Sequence, residues 1–275
     1  MKIKEVIPIP KKYFFFDIDG TIAENDRAPS IMTKYALRQL RLQGHRIFVC
    51  TGRTLCDVYP AITSIGFHGI ISGAGANITL KEKTLFQRSI PPILLRETVS
   101  RMLSHNISGV LEGTDQMYIV KGGVPLCWEN PLPAICRMEQ LETTQDIEKF
   151  TLHVASAAEL DPIKGFLERY YDLYPNENGT FCECVRKGRD KGSAIARVLE
   201  HYHAQPKNAV AFGDSLNDCA MFQNVGIAVA MGNAPRALAD IAAMVTGTIR
   251  EEGVYHALVH LRFIEELPPK KNDEV

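Results

Sequence analysis

Short apolar stretches alternate with amphipathic stretches in the first part of the chain. Apolar runs bounded by glycine or polar residues are typical of buried strands, and apolar positions at a helical period are typical of helices that cover a sheet. The pattern predicts strands at 13–16, 45–50 and 69–72, with a helix at 31–43 that stops at Gly44. Strands that alternate with helices in this way form a parallel sheet.

The same alternation returns after residue 190. It predicts helices at 191–203, 218–224 and 235–240, and strands at 209–212 and 226–229. Because both regions show the rhythm of parallel-sheet proteins, we interpret them as two halves of one sheet.

The residues between these halves follow a different pattern, in which strands outnumber helices and pair locally. Hairpin material at 109–120 is followed by a strand at 150–155 and a helix at 160–170. A further hairpin has the turn signal Asn-Glu-Asn-Gly at 176–179. The simplest arrangement is an α+β module inserted into a parallel-sheet domain.

This reading divides the chain into three segments. Residues 1–82 and 188–275 form the two parts of the core, and residues 83–187 form the inserted module. The predicted fold class is therefore α/β, with a parallel-sheet core and an α+β insertion. A chain of 275 residues is long enough for this organisation.

Composition and charge narrow the range of partners. The formal net charge of -1 gives no electrostatic reason to expect nucleic acid or an anionic membrane surface. Seven cysteines, an odd number, argue against a closed disulfide framework. No apolar run approaches the roughly 20 residues that a membrane span needs, and the first residues lack the features of a leader peptide. We expect a cytoplasmic protein that binds neither nucleic acid nor membrane.

Two carboxylates one residue apart follow the first predicted strand. Asp17 and Asp19 point to the same side because side chains along an extended chain alternate, and Gly20 allows an immediate turn. The carboxyl ends of strands are where open α/β sheets hold ligands. Two such groups in a dry cleft need a cation or a raised pKa, so the pair suggests a hard divalent metal, with Mg2+ preferred. The alternative is a strand followed by a solvated acidic turn.

Three more segments place polar groups at the ends of predicted core elements. Thr51, followed by Gly52, ends the second strand, where a hydroxyl and backbone N–H groups can hold a phosphate. Lys191 lies at a helix N-terminus, where a cation is unfavourable unless an anion is near. The segment 213–218, Gly-Asp-Ser-Leu-Asn-Asp, supplies carboxylates suited to Mg2+. Taken singly, each has an ordinary alternative, namely helix capping or a solvated surface lysine.

Together and in this order, the four segments resemble the motifs of the haloacid dehalogenase superfamily of phosphotransferases. The run Asp-Ile-Asp-Gly-Thr at 17–21 looks like its first motif, Thr51 its second, Lys191 its third and 213–218 its fourth. The insertion between the second and third motifs resembles the type IIB cap of the Cof-like branch. The resemblance implies a Rossmann-like core and a cap. One departure is Ala74-Gly75-Ala76, where Cof-like proteins often have Asn-Gly-Ala.

The resemblance also implies a role for each residue of the motifs. Asp17 is expected to attack phosphorus and form an aspartyl-phosphate, and Asp19 to act as general acid and base with a pKa nearer neutrality. Mg2+ is expected on Asp17, the backbone carbonyl of Asp19, and Asp214. The remaining expected roles are phosphoryl binding by Thr51, Gly52 and Lys191, substrate contact by Asn217, and orientation of Lys191 or a metal-bound water by Asp218.

The resemblance implies a Mg2+-dependent phosphatase of small phosphorylated metabolites. Sugar phosphates are the first choice, while pyridoxal phosphate, flavin mononucleotide and other nucleotides stay open. The alternatives are a phosphomutase, which needs a cluster of cap arginines for a second phosphate, and a non-catalytic phosphometabolite-binding protein. We expect a monomer or weak homodimer. Candidate cap residues for specificity are Glu112, Asp115, Tyr118, Glu183, Arg186 and Lys187.

Overall fold

The computed structural model describes residues 11–24, 26–81, 83–126, 132–143, 146–176 and 178–267. Within these residues the strands form two sheets, one of eight strands and one of six. In chain order the strands are β1 (Tyr13–Phe16), β2 (Arg46–Cys50), β3 (Gly69–Ser72), β4 (Asn77–Leu80), β5 (Lys83–Gln87), β6 (Ser108–Gly113), β7 (Met117–Val120), β8 (Ala134–Ile135), β9 (Ile147–His153), β10 (Tyr171–Pro175), β11 (Phe181–Arg186), β12 (Ala209–Gly213), β13 (Ile227–Ala230) and β14 (Met244–Val245).

Helices cover both sheets. In chain order they are α1 (Ile31–Leu42), α2 (Pro60–Thr63), α3 (Pro92–Ser104), α4 (Asp161–Tyr170), α5 (Lys191–His201), α6 (Cys219–Gln223), α7 (Arg236–Ala239) and α8 (Gly253–His260). Polar side chains fix two of the helix starts. Ser30 accepts a hydrogen bond from the Thr33 N–H at the start of α1, and Asp190 accepts one from the Ser193 N–H at the start of α5.

The eight-stranded sheet has the order β14-β13-β12-β1-β2-β3-β4-β5. The pairs from β14 to β3 are parallel, while β3, β4 and β5 pair antiparallel. Its central strands are apolar on both faces, as expected of a sheet with helices on each side. Phe14 and Phe16 pack in one core cluster, and Phe15 packs in the other. The carboxyl ends of β1, β2 and β12 therefore lie side by side.

The six-stranded sheet has the order β10-β11-β9-β6-β7-β8. One of its faces packs in the core of the insertion, with α3 and α4, through side chains such as Leu111, Phe150 and Cys182. The residues that alternate with these, such as Glu112, Thr151 and Glu183, point to the opposite face. The face that packs against α3 and α4 is therefore apolar, and the opposite face is mixed, with several charged and polar side chains.

Hydrogen bonds join the core to the insertion, and two groups of them lie near the connecting segments. The Arg189 guanidinium donates to the backbone carbonyls of Arg88 and Ser89, which ties the outgoing connection to the returning one. Glu148 of β9 lies fully buried and accepts from Asn77 Nδ2 of β4 at 3.2 Å. The insertion is thus held against the edge of the core by hydrogen bonds as well as by the chain itself.

The predicted fold class is confirmed, and most predicted elements are present within one or two residues. The strands predicted at 13–16 and 69–72 match β1 and β3. The pattern analysis missed α3, which is a helix of 13 residues in a region predicted to be mainly strands. It also missed that β5 extends the core sheet.

The predicted domain boundaries stay a prediction, which sheet membership refines at one end. Since β5 belongs to the core sheet, the chain passes to the second sheet only after Gln87, later than the predicted division at 82. We propose that the insertion begins at about residue 88 and ends near Arg186, the last residue of β11.

Close packing at the start of α5 yields a stability prediction. A Cβ on Gly192 would lie 2.2 Å from the carbonyl oxygen of Ala220, whereas a Cβ on Gly165 of α4 would meet nothing within 4 Å. We expect Gly192→Ala to lower the free energy of unfolding by about 1–3 kcal/mol, because α5, which carries Gly192, and α6, which carries Ala220, must move apart. Gly165→Ala is the matched control and should raise it by about 0.5–1 kcal/mol through helix propensity. Urea unfolding measures both, and a Gly192→Ala protein as stable as wild type would contradict the packing argument.

Candidate active site

A fully buried lysine joins two carboxylates beyond the end of β1. Lys191 Nζ lies 2.8 Å from Asp17 Oδ1 and 2.6 Å from Asp218 Oδ1. The side chains of Lys191 and Asp218 are 1% and 0% exposed. Asp17 follows β1, Asp218 belongs to the loop after β12, and Lys191 begins α5. A cation at a helix N-terminus is unfavourable because of the helix dipole, and here the two carboxylates offset that cost for Lys191.

Asp218 also shapes the loop that carries Asp214. Its Oδ2 accepts hydrogen bonds from the backbone N–H of Asp214 at 2.9 Å and of Ser215 at 3.0 Å. A Cβ on Gly213 would lie 2.5 Å from this carboxylate, so the turn needs glycine there. Asp218 therefore fixes Lys191 with one oxygen and the loop with the other.

Asp214 is brought beside Asp17 by a glycine and two polar side chains. Its carboxylate lies so close to Gly20 that a Cβ there would be 1.9 Å from Oδ2, and Gly20 has φ +80°. Thr21 Oγ1 donates to Asp214 Oδ1 at 3.1 Å, and Asn233 Nδ2 donates to Oδ2 at 2.8 Å. One carboxylate oxygen each from Asp17, Asp214 and Asp218 lies within 4.8 Å of the other two. This is the kind of oxygen cluster that binds a hard divalent cation.

Burial sets the protonation tendencies of the cluster. It raises the pKa of Asp17 well above the usual range, which the charge of Lys191 opposes and those of Asp218 and Asp214 reinforce. Burial also raises the pKa of Asp214 to about 6, with the Asp218 charge adding to it and the hydrogen bond from Thr21 opposing it. Although burial works in the opposite direction, Asp17 and Asp218 raise the pKa of Lys191, so the ammonium stays charged. The site holds more negative than positive charge, which favours a cation.

The second strand end places a hydroxyl and a glycine at the same edge. Thr51 is buried, and its Oγ1 accepts a hydrogen bond from the Arg53 N–H at 3.1 Å. Gly52 faces the insertion, since a Cβ there would lie 3.0 Å from Glu183 Oε1. Asn217 Nδ2 lies 3.5 Å from Glu183 Oε2. Thr51, Gly52 and Asn217 all line the same cavity as Asp17.

Asp19 is held by Arg53, a residue that the sequence analysis did not single out. Arg53 donates from Nε and Nη2 to the two oxygens of Asp19 at 2.7 and 2.8 Å. The same guanidinium lies 2.7 Å from Asp26 and 3.4 Å from Asp57. Asp19 is 46% exposed, so it lies at the mouth of the site rather than buried above the other carboxylates. Arg53 therefore sets the direction of the Asp19 carboxylate.

The tripeptide Ala74-Gly75-Ala76, where the resemblance led us to expect asparagine first, begins in a left-handed conformation. Ala74 has φ 53° and ψ 34°, the left-handed conformation that asparagine adopts more readily than alanine. Its N–H donates to the Thr51 carbonyl at 3.0 Å. The turn that supports Thr51 thus forms without asparagine, at some backbone strain.

A cavity of about 490 Å³ lies between the core and the insertion. Its floor comes from the core and its roof from the polar face of the six-stranded sheet. The floor residues are Asp17, Asp19, Thr51, Gly52, Arg53, Asp57, Ser215 and Asn217, and the roof residues are Val110, Glu112, Met117, Lys149, Thr151, His153, Phe181 and Glu183.

Of the six cap candidates, two lie at this cavity. Glu112 and Glu183 line it, whereas Tyr118 packs in the apolar core of the insertion. Arg186 donates to the Tyr170 carbonyl, and neither it, Lys187 nor Asp115 lines the cavity. The sequence analysis missed Lys149, Thr151 and His153, whose alternation with the buried Phe150 and Leu152 was the available signal.

A family model described as haloacid dehalogenase-like hydrolase matches residues 14–258. The chain belongs to this family. The match runs from β1 to α8 and includes all four segments that supply the site and the whole insertion. The expected superfamily is therefore confirmed.

Relatives of this haloacid dehalogenase-like hydrolase are named as phosphatases. The chain is 28% identical to Phosphatase YwpJ of Bacillus subtilis (strain 168) over 291 residues, which cover 91% of this chain and 99% of the relative. It is also 28% identical to the 5-amino-6-(5-phospho-D-ribitylamino)uracil phosphatase YcsE of the same organism over 251 residues, covering 90% and 95%. The expected enzyme class, a phosphatase of this superfamily, is confirmed.

Solved structures agree on the fold. A sugar phosphatase of haloacid dehalogenase subclass IIB superposes with a TM-score of 0.80 at 21% identity, covering 92% of this chain and 100% of that one. The Rossmann-like core with an inserted cap is therefore confirmed.

In the part of the chain that the structure describes, no helix is both long and apolar enough to cross a membrane.

The buried ion cluster of this hydrolase yields a second stability prediction. Lys191→Met leaves Asp17 and Asp218 buried without their cation, so we expect the free energy of unfolding in EDTA to fall by about 3–5 kcal/mol. Lys187→Met is the matched control, because this lysine is exposed, and it should change the value by less than about 0.5 kcal/mol. Urea unfolding measures both variants. Equal stability of Lys191→Met and wild type would show that the cluster carries little net energy.

Proposed function

We propose that this phosphatase is Mg2+-dependent and hydrolyses small phosphorylated metabolites, sugar phosphates first among them, through a phosphoryl group carried by Asp17. The observation that carries the proposal is the cluster of Asp17, Lys191, Asp218 and Asp214, which meets the floor of the cavity at Asp17. It puts a carboxylate nucleophile, a fixed cation and spare carboxylate oxygens beside one another, which phosphoryl transfer requires.

The carboxylates fit a hard divalent cation. Asp17, Asp214 and Asp218 offer oxygens within 4.8 Å of one another, and glycine at position 20 makes room for Asp214. Since Asp218 is occupied by Lys191 and by two backbone N–H groups, we assign Asp17, Asp214 and the Asp19 carbonyl as the holding groups. Bound there, Mg2+ supplies the positive charge that lets an anionic carboxylate meet an anionic phosphate ester.

The first half of the reaction transfers the phosphoryl group to the protein. An Asp17 oxygen bonds to phosphorus while the bond from phosphorus to the ester oxygen breaks. Asp19 gives its proton to the departing oxygen, which leaves as an alcohol. Lys191 and the Thr51 hydroxyl, with the Gly52 N–H, bind the phosphoryl oxygens.

The second half regenerates the free enzyme. A water molecule attacks phosphorus, the ionised Asp19 takes its proton, and the bond from phosphorus to the Asp17 oxygen breaks to release phosphate. Arg53 keeps the Asp19 carboxylate directed towards this water molecule. The Arg53 guanidinium also contacts Asp26 and Asp57, so its single positive charge is divided among three carboxylates. It therefore orients Asp19 without fully compensating the charge of that carboxylate.

Two features support a polyhydroxylated leaving group. The relative YcsE is named for a ribityl phosphate, and the subclass IIB neighbour for sugar phosphates, so both names describe phosphate esters of hydroxylated carbon chains. The roof of the cavity offers polar groups in Glu112, Lys149, Thr151 and Glu183. Asn217, which reaches Glu183, is assigned to the junction between phosphate and leaving group.

The two alternatives have less support. A phosphomutase needs cationic groups for a second phosphate, and among the described residues no arginine of the insertion lines the cavity. A non-catalytic binding protein would not need a nucleophile, a fixed cation and a carboxylate set arranged together.

Phosphate release from a substrate panel tests the proposed function. Sugar phosphates, nucleotides and pyridoxal phosphate are each incubated with Mg2+ or with EDTA. We expect turnover only with Mg2+, and Asp17→Asn should lower kcat by at least about 10⁴-fold because the nucleophile is lost. Asp240→Asn, a change at an exposed carboxylate, is the matched control and should keep full activity. Activity that survives Asp17→Asn would overturn the covalent mechanism.

Thermal unfolding tests the cation site without relying on activity. At a Mg2+ concentration about 100-fold above Kd, binding to the folded state adds about 2.7 kcal/mol, which raises Tm by roughly 5–10 °C for a protein of this size. Asp214→Asn removes one holding carboxylate and should reduce the shift to below about 2 °C, whereas Asp240→Asn should keep it. A shift of the same size in Asp214→Asn would place the cation elsewhere.

A further inference from the structure

Three charged side chains form a connected group on the roof of the cavity. Lys149 Nζ lies 2.9 Å from Glu112 Oε2 and 2.8 Å from Glu183 Oε1. They come from three adjacent strands, β6, β9 and β11, and all three are buried. Thr151 Oγ1 donates to Glu112 Oε1 at 2.7 Å. The group is therefore a built part of the sheet rather than a chance surface pair.

The group is negative overall. Although burial acts against it, the charges of Glu112 and Glu183 raise the pKa of Lys149, so the ammonium persists. Burial likewise works against ionisation of Glu183, but Lys149 lowers its pKa on balance. Two carboxylates against one ammonium leave one net negative charge. Burial lowers the pKa of the neighbouring His153, so this imidazole adds no positive charge at neutral pH.

The two carboxylates line the cavity and keep unused hydrogen-bonding capacity. An ionised carboxylate offers about four acceptor positions, and the contacts above use about two on each glutamate. Lys149 has three N–H donors, of which two are directed at the glutamates. The roof can thus accept several hydrogen bonds and donate one. Hydroxyl groups, which both donate and accept, match this set, whereas a phosphate or carboxylate can only accept.

Glu183 connects the roof with the phosphate end of the cavity. Its Oε1 lies 3.0 Å from the position of a Cβ on Gly52, next to Thr51, and its Oε2 lies 3.5 Å from Asn217. Val110 and Met117 add apolar surface to the same roof. A hydroxylated carbon chain attached to a phosphate at Thr51 would therefore lie directly against the group of Glu112, Lys149 and Glu183.

We propose that this group, Glu112, Lys149 and Glu183, binds the hydroxyls of a neutral polyol leaving group and rejects esters that carry a second phosphate. The inference rests on the proposed phosphatase function, because the polyol is the part of the ester that leaves phosphorus. It assigns to Lys149 a role that differs from phosphate binding: the lysine holds two glutamates in place and contributes one donor. It also gives a physical reason why a phosphomutase reaction, which passes through bisphosphates, is disfavoured.

The first test compares a matched pair of substrates with the wild-type protein. Fructose 6-phosphate and fructose 1,6-bisphosphate differ by one phosphate, and p-nitrophenyl phosphate reports on the core chemistry with a leaving group that lacks a polyol. We expect kcat/KM for the monophosphate to exceed that for the bisphosphate by at least about 30-fold, as expected for an extra anion near a buried negative charge. Equal values for the two esters would overturn the proposal.

The second test changes the charge of the roof with little change of shape. In Glu112→Gln/Glu183→Gln the group becomes positive, so the preference for the monophosphate should fall to below about threefold. The ratio of kcat/KM for fructose 6-phosphate to that for p-nitrophenyl phosphate should fall by about tenfold, because charge-assisted hydrogen bonds to the hydroxyls are lost. Glu168→Gln, an exposed change on α4 behind the sheet, is the matched control and should keep both ratios.

The outcomes separate this proposal from the proposed function. Absence of Mg2+-dependent turnover of every ester, p-nitrophenyl phosphate included, would end the phosphatase proposal and this one with it. Turnover of p-nitrophenyl phosphate with no discrimination between the fructose esters, or with ratios that the double variant leaves unchanged, would end this proposal alone. If the double variant does not fold, Glu112→Gln replaces it, and a decrease of at least about threefold in the monophosphate preference is required.

Discussion

The site depends on one buried ion cluster, in which the ammonium of Lys191 lies between Asp17 and Asp218. Each of these groups alone would be costly to bury, and each is tolerated because the others are present. The three residues come from widely separated parts of the sequence and meet only when the parallel sheet is complete. The chemistry of the site is therefore inseparable from the fold, because loss of Lys191 would leave two carboxylates in the interior without their cation.

Glycines make this cluster possible at its most crowded points. Asp214 lies against Gly20, and Asp218 lies against Gly213. Each carboxylate therefore occupies volume that a Cβ atom would fill if the glycine were any other residue. Backbone N–H groups then complete the hydrogen bonding of Asp218. The motif residues that look like turn formers in the sequence thus have a second role, which is to let carboxylates approach the ends of β1 and β12.

The core and its floor could be predicted from the sequence because their determinants are local. Buried parallel strands are continuous apolar runs, and Asp17, Thr51 and Asp214 each follow such a run directly, so parallel pairing was enough to bring them together. The roof could not be predicted in the same way. Lys149 lies between Glu112 and Glu183 through antiparallel pairing of strands distant in sequence, and a register shift of one residue would turn every one of them into the core. The helix α3 was missed because its two leading prolines suggest an interruption rather than a helix start.

The floor and the roof of the cavity differ in the charge that they present to a ligand. On the floor, the proposed mechanism brings an anionic ester to Asp17, and it therefore requires positive charge from Lys191 and a bound cation. On the roof, Lys149 is already matched by two carboxylates, and the described residues that line it include no further cation to attract a second anion. An ester with a charged end and a hydroxylated end is complementary to this asymmetry in one orientation only, with its phosphate on the floor. Under the proposed function, this charge arrangement would align the scissile bond with Asp17 and Asp19 before any side chain moves, since reversal would place the phosphate against the negative roof.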